Sequence, residues 1–469
     1  MVKKKNSIIF ITKNSRNEMY IKSLMFRAEV YNLIGKNKEA IKDLKTGAKI
    51  SKILSDKKSE ADFILHLSHV YESISEYEKM RDCAKEAQLI YQEIKDKMGE
   101  SDCLDNIGSM HLSIGEYSKA LKYYEIALNI SEDIKDLGRQ STSLNNIGLV
   151  YDKIGAYLKS LEYYVKSLRI KEAIGDRRGQ AVILNNIGSI YNSLGKYKKA
   201  IEYNFNSLKI REEIGDREGQ AFSFNNIGYV HSKLGKYSEA FEYYNKALKI
   251  FKEVGNRTIQ AYCLNNIGFV LSVLGDYSSS LEYYKKSLNL SRDVHDLQGE
   301  AYSLNNMGKI YIFEGKYNEA EKYLKEGEKI VRKIGSKEIL RRIYSSFCEL
   351  EINKNNNKKA EEYGEKAFNL ALELNFKLGK AEAFVLLGRI DRKKAEKKFK
   401  EAIKIFEDLG NQFELGKSYY YYGEFLMNKG EIKKATEYIE KAENIFEKIG
   451  AKGWIKRVEE LWEKEWKSL

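Results

Sequence analysis

The chain has 469 residues, with 81 Lys and Arg against 68 Asp and Glu, a formal net charge of +13, four cysteines and no proline. Average proline usage is roughly 5%, so its absence suits regular helix joined by brief turns. No segment approaches the ~20 apolar residues needed to span a bilayer, and the unpaired spacing of Cys83, Cys103, Cys263 and Cys348 argues against a disulfide framework.

Residues 1–20 carry no repeat signal and are expected to be an irregular or weakly helical lead-in, the one part that could hold a short strand. The run Lys3-Lys4-Lys5 is too short to bind nucleic acid by itself. Ile8-Ile9-Phe10-Ile11 is shorter than a signal-peptide apolar region and lacks a cleavage site. Elsewhere basic and acidic residues are interleaved, which describes a solvated surface more than a nucleic-acid face. A soluble, cytoplasmic protein is expected.

From residue 21 the chain is periodic. Leu104-Asp105-Asn106-Ile107-Gly108 opens a series that recurs every 40 residues, as Leu144–Gly148, Leu184–Gly188, Phe224–Gly228, Leu264–Gly268 and Leu304–Gly308. A fixed period of this size signals a solenoid, in which one unit cannot bury its apolar face alone. With the glycine of this series as position 8, units begin at 21, 61 and so on to 341. Position 11 is often tyrosine (Tyr31, Tyr71, Tyr151, Tyr191, Tyr311), position 15 glycine (Gly115 to Gly315), and positions 20 and 27 small (Ala200, Ser207).

These residues have mechanical roles. Gly195 fits the residue that ends a first helix with φ > 0. Residues 198–213 show the 3.6-residue apolar pattern of a second helix. Gly215 can end that helix, and Asp216 can cap the next. Eleven units are expected. The tenth, 381–415, is five residues short, at the end of its first helix and its turn, and the eleventh is 416–455. Residues 456–469 continue helical, with a stripe of Trp454, Val458, Leu461, Trp462 and Trp466 that is expected to cap the last unit, or else to be a docking surface.

The glycine, tyrosine and small-residue pattern at positions 8, 11, 15, 20 and 27 resembles the tetratricopeptide repeat over residues 21–455. The unit length departs from the usual 34 residues, and the late proline is missing. The linking Gly-Asp-Arg-x-Gly-Gln (Gly175–Gln180, Gly215–Gln220) is similar to that of the Pins/LGN adaptors, and the Leu-Asn-Asn-Ile-Gly core to that of kinesin light chain. The resemblance implies an all-α, right-handed superhelical solenoid of antiparallel hairpins. Its first helices would line a concave groove for a peptide or extended protein segment.

Positions 2, 5, 9, 12 and 13 of the first helix share one face. Position 5 therefore offers Asn145, Asn185, Asn225, Asn265 and Asn305 to a peptide backbone, since an amide both donates and accepts. The alternative is that these amides bond neighbouring units. Position 6, Asn146 to Asn306, is expected to be structural, because a buried amide must be satisfied. Phe222, Tyr229, Tyr262, Phe269 and Tyr302 would supply apolar anchors. At the N-terminal side the groove would offer Asp102, Asp105 and Asp152.

No catalytic, phosphate-cradling or metal constellation stands out, and no cofactor is expected. His66 and His69 sit three apart, a spacing open to metal, but without further ligands nearby. The chain reads as an interaction scaffold and not an enzyme. The competing reading is a ligand- or peptide-responsive sensor arm of a prokaryotic signalling system whose output domain lies on a partner. Charge alone motivates nucleic-acid binding.

Overall fold

A computed structural model describes residues 2–466, and the side chains of residues 18–463. The side chains of Lys3–Lys5, Ile8–Ile11 and Trp466, and residues 467–469, lie outside this range. Every element among the described residues is an α-helix. The helices are α1 (Val2–Leu33), α2 (Asn37–Ile53), α3 (Lys57–Ser73), α4 (Tyr77–Glu93), α5 (Lys97–Ser113), α6 (Tyr117–Asp133), α7 (Leu137–Lys153) and α8 (Tyr157–Ala173). They continue with α9 (Arg177–Ser193), α10 (Tyr197–Glu213), α11 (Arg217–Lys233), α12 (Tyr237–Glu253), α13 (Arg257–Leu274), α14 (Tyr277–Asp293), α15 (Leu297–Phe313) and α16 (Tyr317–Ile334). The last are α17 (Lys337–Asn353), α18 (Asn357–Glu373), α19 (Lys377–Ile390), α20 (Ala395–Leu409), α21 (Gln412–Asn428), α22 (Ile432–Ile449) and α23 (Lys452–Trp466). Consecutive helices pack as antiparallel pairs, so the chain is an all-α helical-repeat solenoid.

Two turns alternate. Within a pair, Gly195 takes φ +69°, and the Lys196 N–H donates back to the Tyr191 carbonyl at 2.8 Å. Between pairs, Gly215 repeats the conformation, and the Asp216 carboxylate accepts the Gly219 N–H at 2.9 Å, capping α11. The glutamine after the cap reaches backwards. Gln140, Gln180, Gln220 and Gln260 donate to the carbonyls of Ser131, Lys171, Arg211 and Phe251, sewing each second helix to the next first helix.

The small positions set how closely helices approach. Ala200 and Ser207 are fully buried. Where serine replaces alanine, its hydroxyl finds a carbonyl: Ser160 donates to Gly148 and Ser280 to Gly268, both at 2.7 Å. Gly148 lies flat against the Tyr164 ring, which is 1% exposed, and a Cβ there would stand 2.8 Å from the ring. Gly108 on Tyr124, Gly228 on Tyr244 and Gly268 on Tyr284 repeat the contact.

The structure differs from the sequence expectation at both ends. The lead-in is not irregular, because α1 runs unbroken from Val2 to Leu33. The last helix begins at Lys452, four residues before the expected start, and buries Trp454 and Val458. Within the chain, α19 has 14 residues where its counterpart α17 has 17, and a turn at 391–394 replaces the usual one.

A second level of packing joins residues far apart in the chain. The Asn37 side chain donates to the Val294 carbonyl at 2.7 Å, across 257 residues. Asn375 donates to the Ile154 carbonyl at 3.0 Å, and Tyr197 to the Leu409 and Gly410 carbonyls at 3.0 Å. Gly235 abuts Ile449, and Gly453 sits beneath Tyr277. The within-pair turns of one superhelical turn thus rest on the between-pair turns of the next. The surface area is nonetheless 23077 Å², against about 18,000 Å² for a compact chain of this size, as a wound and hollow molecule requires.

Gly148→Ala should lower stability by about 1–3 kcal/mol, because the fully packed Tyr164 ring has nowhere to move. Urea unfolding followed by circular dichroism measures it. An unchanged midpoint would show that the ring contact does not limit helix approach.

Candidate functional site

First helices of successive pairs touch one another: α3 meets α5, α13 meets α15, α15 meets α17 and α17 meets α19. The odd-numbered helices therefore form the inner wall, and the stacked turns make that wall a lumen. Its narrowness shows where α13 and α21 face each other, with the Phe269 and Phe413 rings 6.5 Å apart.

The asparagines run along this wall as rungs. Asn186 donates to the Asn145 oxygen at 2.8 Å, Asn266 to Asn225 at 3.0 Å and Asn306 to Asn265 at 2.8 Å. Asn146 donates to Asp105 at 3.3 Å, and the Ser346 hydroxyl to Asn305 at 2.8 Å. Position 6 of one unit is thus the donor to position 5 of the unit before. This corrects the reading of position 5 as a ligand ladder at three places. Asn185, Asn265 and Asn305 are 5%, 7% and 1% exposed, and their amides bond neighbouring helices. Asn145 and Asn225 keep partial exposure.

The aromatic residues divide as well. Tyr229 and Phe269 are 44% and 40% exposed on the inner wall. Phe222 is half-buried edge-on to Phe251, and Tyr262 is half-buried with its phenol raised by burial and by Asp296. The Tyr302 hydroxyl donates to Glu338 at 2.9 Å, and the same carboxylate accepts from Arg342 at 2.5 Å. Lys233 pulls the Tyr229 phenol below its usual range against burial, with help from Arg342 and Lys153. Those groups sit on α11, α17 and α7, which places three separate helices around one space.

Charge varies along the wall. Near α5 and α7 it is acidic: burial raises the carboxyls of Asp152 and Asp105, the latter to about 7, although Asn146 and Ser143 bond to Asp105. Asp102 is clamped by Arg139 at 2.8 Å. Near α17 and α19, buried Arg341 pairs with Glu382 at 2.8 Å. Further on, Lys309, Glu349, Arg389 and Glu424 follow one another at position 9. Position 9 shares the inner face of the first helix, so these charges alternate along the wall. His66 lies 3.4 Å from Glu29 and His69 bonds Asn106 at 2.9 Å, so the two histidines serve different neighbours. Among the described residues no cluster of three or more potential metal ligands occurs, and no helix is long and apolar enough to cross a membrane.

The family model described as tetratricopeptide repeat matches residues 59–133, 139–204, 179–253 and 259–333, more than half of the chain. A model described as anaphase-promoting complex subunit 5 matches residues 9–73. No curated protein matches. Among solved structures, the chain is similar to a Rap protein complexed with competence and sporulation factor, at 17% identity and TM-score 0.49, over 76% of this chain and 98% of that one. It is similar to aspartyl phosphate phosphatase F from Bacillus subtilis at 15% identity and TM-score 0.49, over 72% and 94%. Yeast Tom70 matches at 15% identity and TM-score 0.40, over 95% and 97%.

Two outcomes follow from the rungs. Asn265→Ala should cost about 1–3 kcal/mol in urea unfolding, because Asn306 and Ser303 lose a buried partner, while Asn145→Ala should cost less. Asp105 carries a folded pKa raised above the unfolded value of about 3.9. Its contribution is therefore fully present below that value and is lost as pH rises through about 7. Asp105→Asn should match the parent near pH 4 and exceed it in thermal midpoint near pH 8. A gap that does not widen with pH would contradict this.

Proposed function

This chain belongs to the tetratricopeptide repeat family, and on that premise we propose that it takes an extended peptide or flexible protein segment into its lumen. The observation that carries this reading is the pair of large exposed rings, Tyr229 and Phe269, side by side on an inner wall whose other large apolar groups are mostly covered. A ring left exposed on a concave, partly desolvated wall is a ready anchor for a ligand side chain. Asn145 and Asn225 are the rungs with surface left to meet a ligand backbone. The buried rungs at Asn185, Asn265 and Asn305 set the spacing of the wall.

The unit plan behind this proposal is a solenoid of eleven helix pairs over 21–455, with the pair at 381–415 shortened and a closing helix after it. The chain acts by binding and not by catalysis. Basic and acidic residues are interleaved along the helices, which favours a protein segment over nucleic acid as the partner. A cytoplasmic location fits this role. A sensor arm whose output lies on another protein is the second reading. The stacked turns favour it, because a ligand touching α7, α11 and α17 at once would alter the pitch that those turns set.

Recovery of partners from the native cell, with mapping of the bound segment, identifies the ligand. Calorimetry then tests the site. Tyr229→Ala or Phe269→Ala should weaken binding by about 2 kcal/mol, roughly 30-fold, with the helical content retained. Asn145→Ala should weaken it several-fold at most. Parental affinity in both aromatic variants would place the ligand outside the lumen.

A further inference from the structure

Cations converge beyond the aromatic stretch of the lumen. Burial pushes the Glu349 carboxyl up, but Lys417, Arg389, Lys309 and Arg457 outweigh it and hold it below its usual range. Lys417, Arg389 and Lys309 come from α21, α19 and α15, which adjoin along the inner wall, and Arg457 of α23 joins them because the superhelix is closed. Lys417 is matched by Glu414 at 3.0 Å. Among the described residues, Lys309, Arg389 and Arg457 form no ion pair. Glu349 and Glu424 face those three from position 9, and Glu382, already paired with Arg341, faces Lys309 as well. One positive charge remains over.

Both guanidinium groups lie over aromatic rings at stacking distance. Arg389 lies 4.0 Å from the Tyr421 ring centroid, and Arg457 lies 3.8 Å from that of Phe313. Stacking fixes the plane of the fork and leaves the in-plane N–H donors free for a planar acceptor. Arg389 Nη1 is buried and has no partner. A charged donor left unmade in a buried place is costly, and a carboxylate is the acceptor whose geometry fits the fork. Arg457 belongs to the closing helix. Trp454 of that helix packs 5.4 Å from Phe446 and 6.1 Å from Phe313, tying α22 to α15. The helix therefore contributes to the lumen as well as covering the last pair.

We propose that this end of the lumen is a subsite for one Asp or Glu side chain of the bound segment. Arg389 and Arg457 are its guanidinium donors and Lys309 its third cation, and an apolar neighbour of that acidic residue rests on Phe269. Tyr420 and Tyr421 are buried beneath the cluster, with their rings 5.3 Å apart. This assignment rests on the peptide-binding reading above and adds the chemistry of the ligand.

The test uses the full chain and a fluorescent, C-terminally amidated decapeptide library scanned by position, read by anisotropy. Enrichment of Asp or Glu at one position, with an apolar residue beside it, is expected. Replacing that acid by its amide in the best peptide should weaken binding about tenfold or more. Arg389→Ala and Arg457→Ala should weaken the acidic peptide similarly and leave the amide version unchanged. Lys309→Ala, at an exposed position, should fold in any case and show a smaller loss with the same selectivity. Peptides that bind without acidic preference, or only when the C-terminus is a free carboxylate, would overturn the subsite while keeping the lumen as the binding place. If no library peptide binds, the peptide-binding reading itself fails, and the subsite with it.

Discussion

The distance between the two helices of each pair governs everything larger in this molecule. It is set where a glycine of the inner helix meets a side chain of the outer one, a buried ring where Gly148 meets Tyr164 and Gly268 meets Tyr284, and Leu324 or Ile439 where Gly308 and Gly423 stand. Interiors pack like crystals and tolerate little change in volume. A pair opened slightly would rotate its neighbour, and the error would accumulate over the pairs that separate Asn37 from Val294. The turn-on-turn bonds form only because the local contact repeats without drift. The exact 40-residue period is the sequence record of that requirement.

Much of this was legible in the chain. The period, the turn glycines, the capping Asp216 and the small residues at positions 20 and 27 each stated a local geometry, and the helices stand where those signals put them. The rings that pack on the glycines, Tyr124, Tyr164, Tyr244 and Tyr284, also recur at 40-residue spacing and could have been read the same way. The asparagines were harder. An amide is equally suited to a ligand and to a neighbour, and only the register between units shows that Asn306 already holds Asn265. The lead-in, expected to be irregular or weakly helical, is part of one long helix. A segment outside the repeat has no copies to compare, so its continuity with α1 left no periodic trace.

What no local pattern could show was the closure of the superhelix. Contacts such as Tyr197 with Leu409 depend on the accumulated rotation of several pairs. Closure changes the meaning of single residues. Arg457 reads as one basic residue on a terminal helix, yet it lies on Phe313 of α15 and faces Glu349 of α17. The same closure turns a shallow concave face into a space whose aromatic, acidic and basic stretches follow one another along its length. A segment lying there would meet them in a fixed order.

The turn-on-turn bonds also bear on how the chain comes to be made. A solenoid whose units touch only their neighbours can fold behind the ribosome, one unit at a time. Here Asn37 waits for Val294, and the turn after Leu194 waits for Leu409. More than half of the chain must be synthesised before the first winding gains its first contact with the second. Until then the nascent protein is an open coil whose inner rings face solvent. Winding is a late event that draws together pairs already folded, and it concerns their mutual arrangement and not their internal structure.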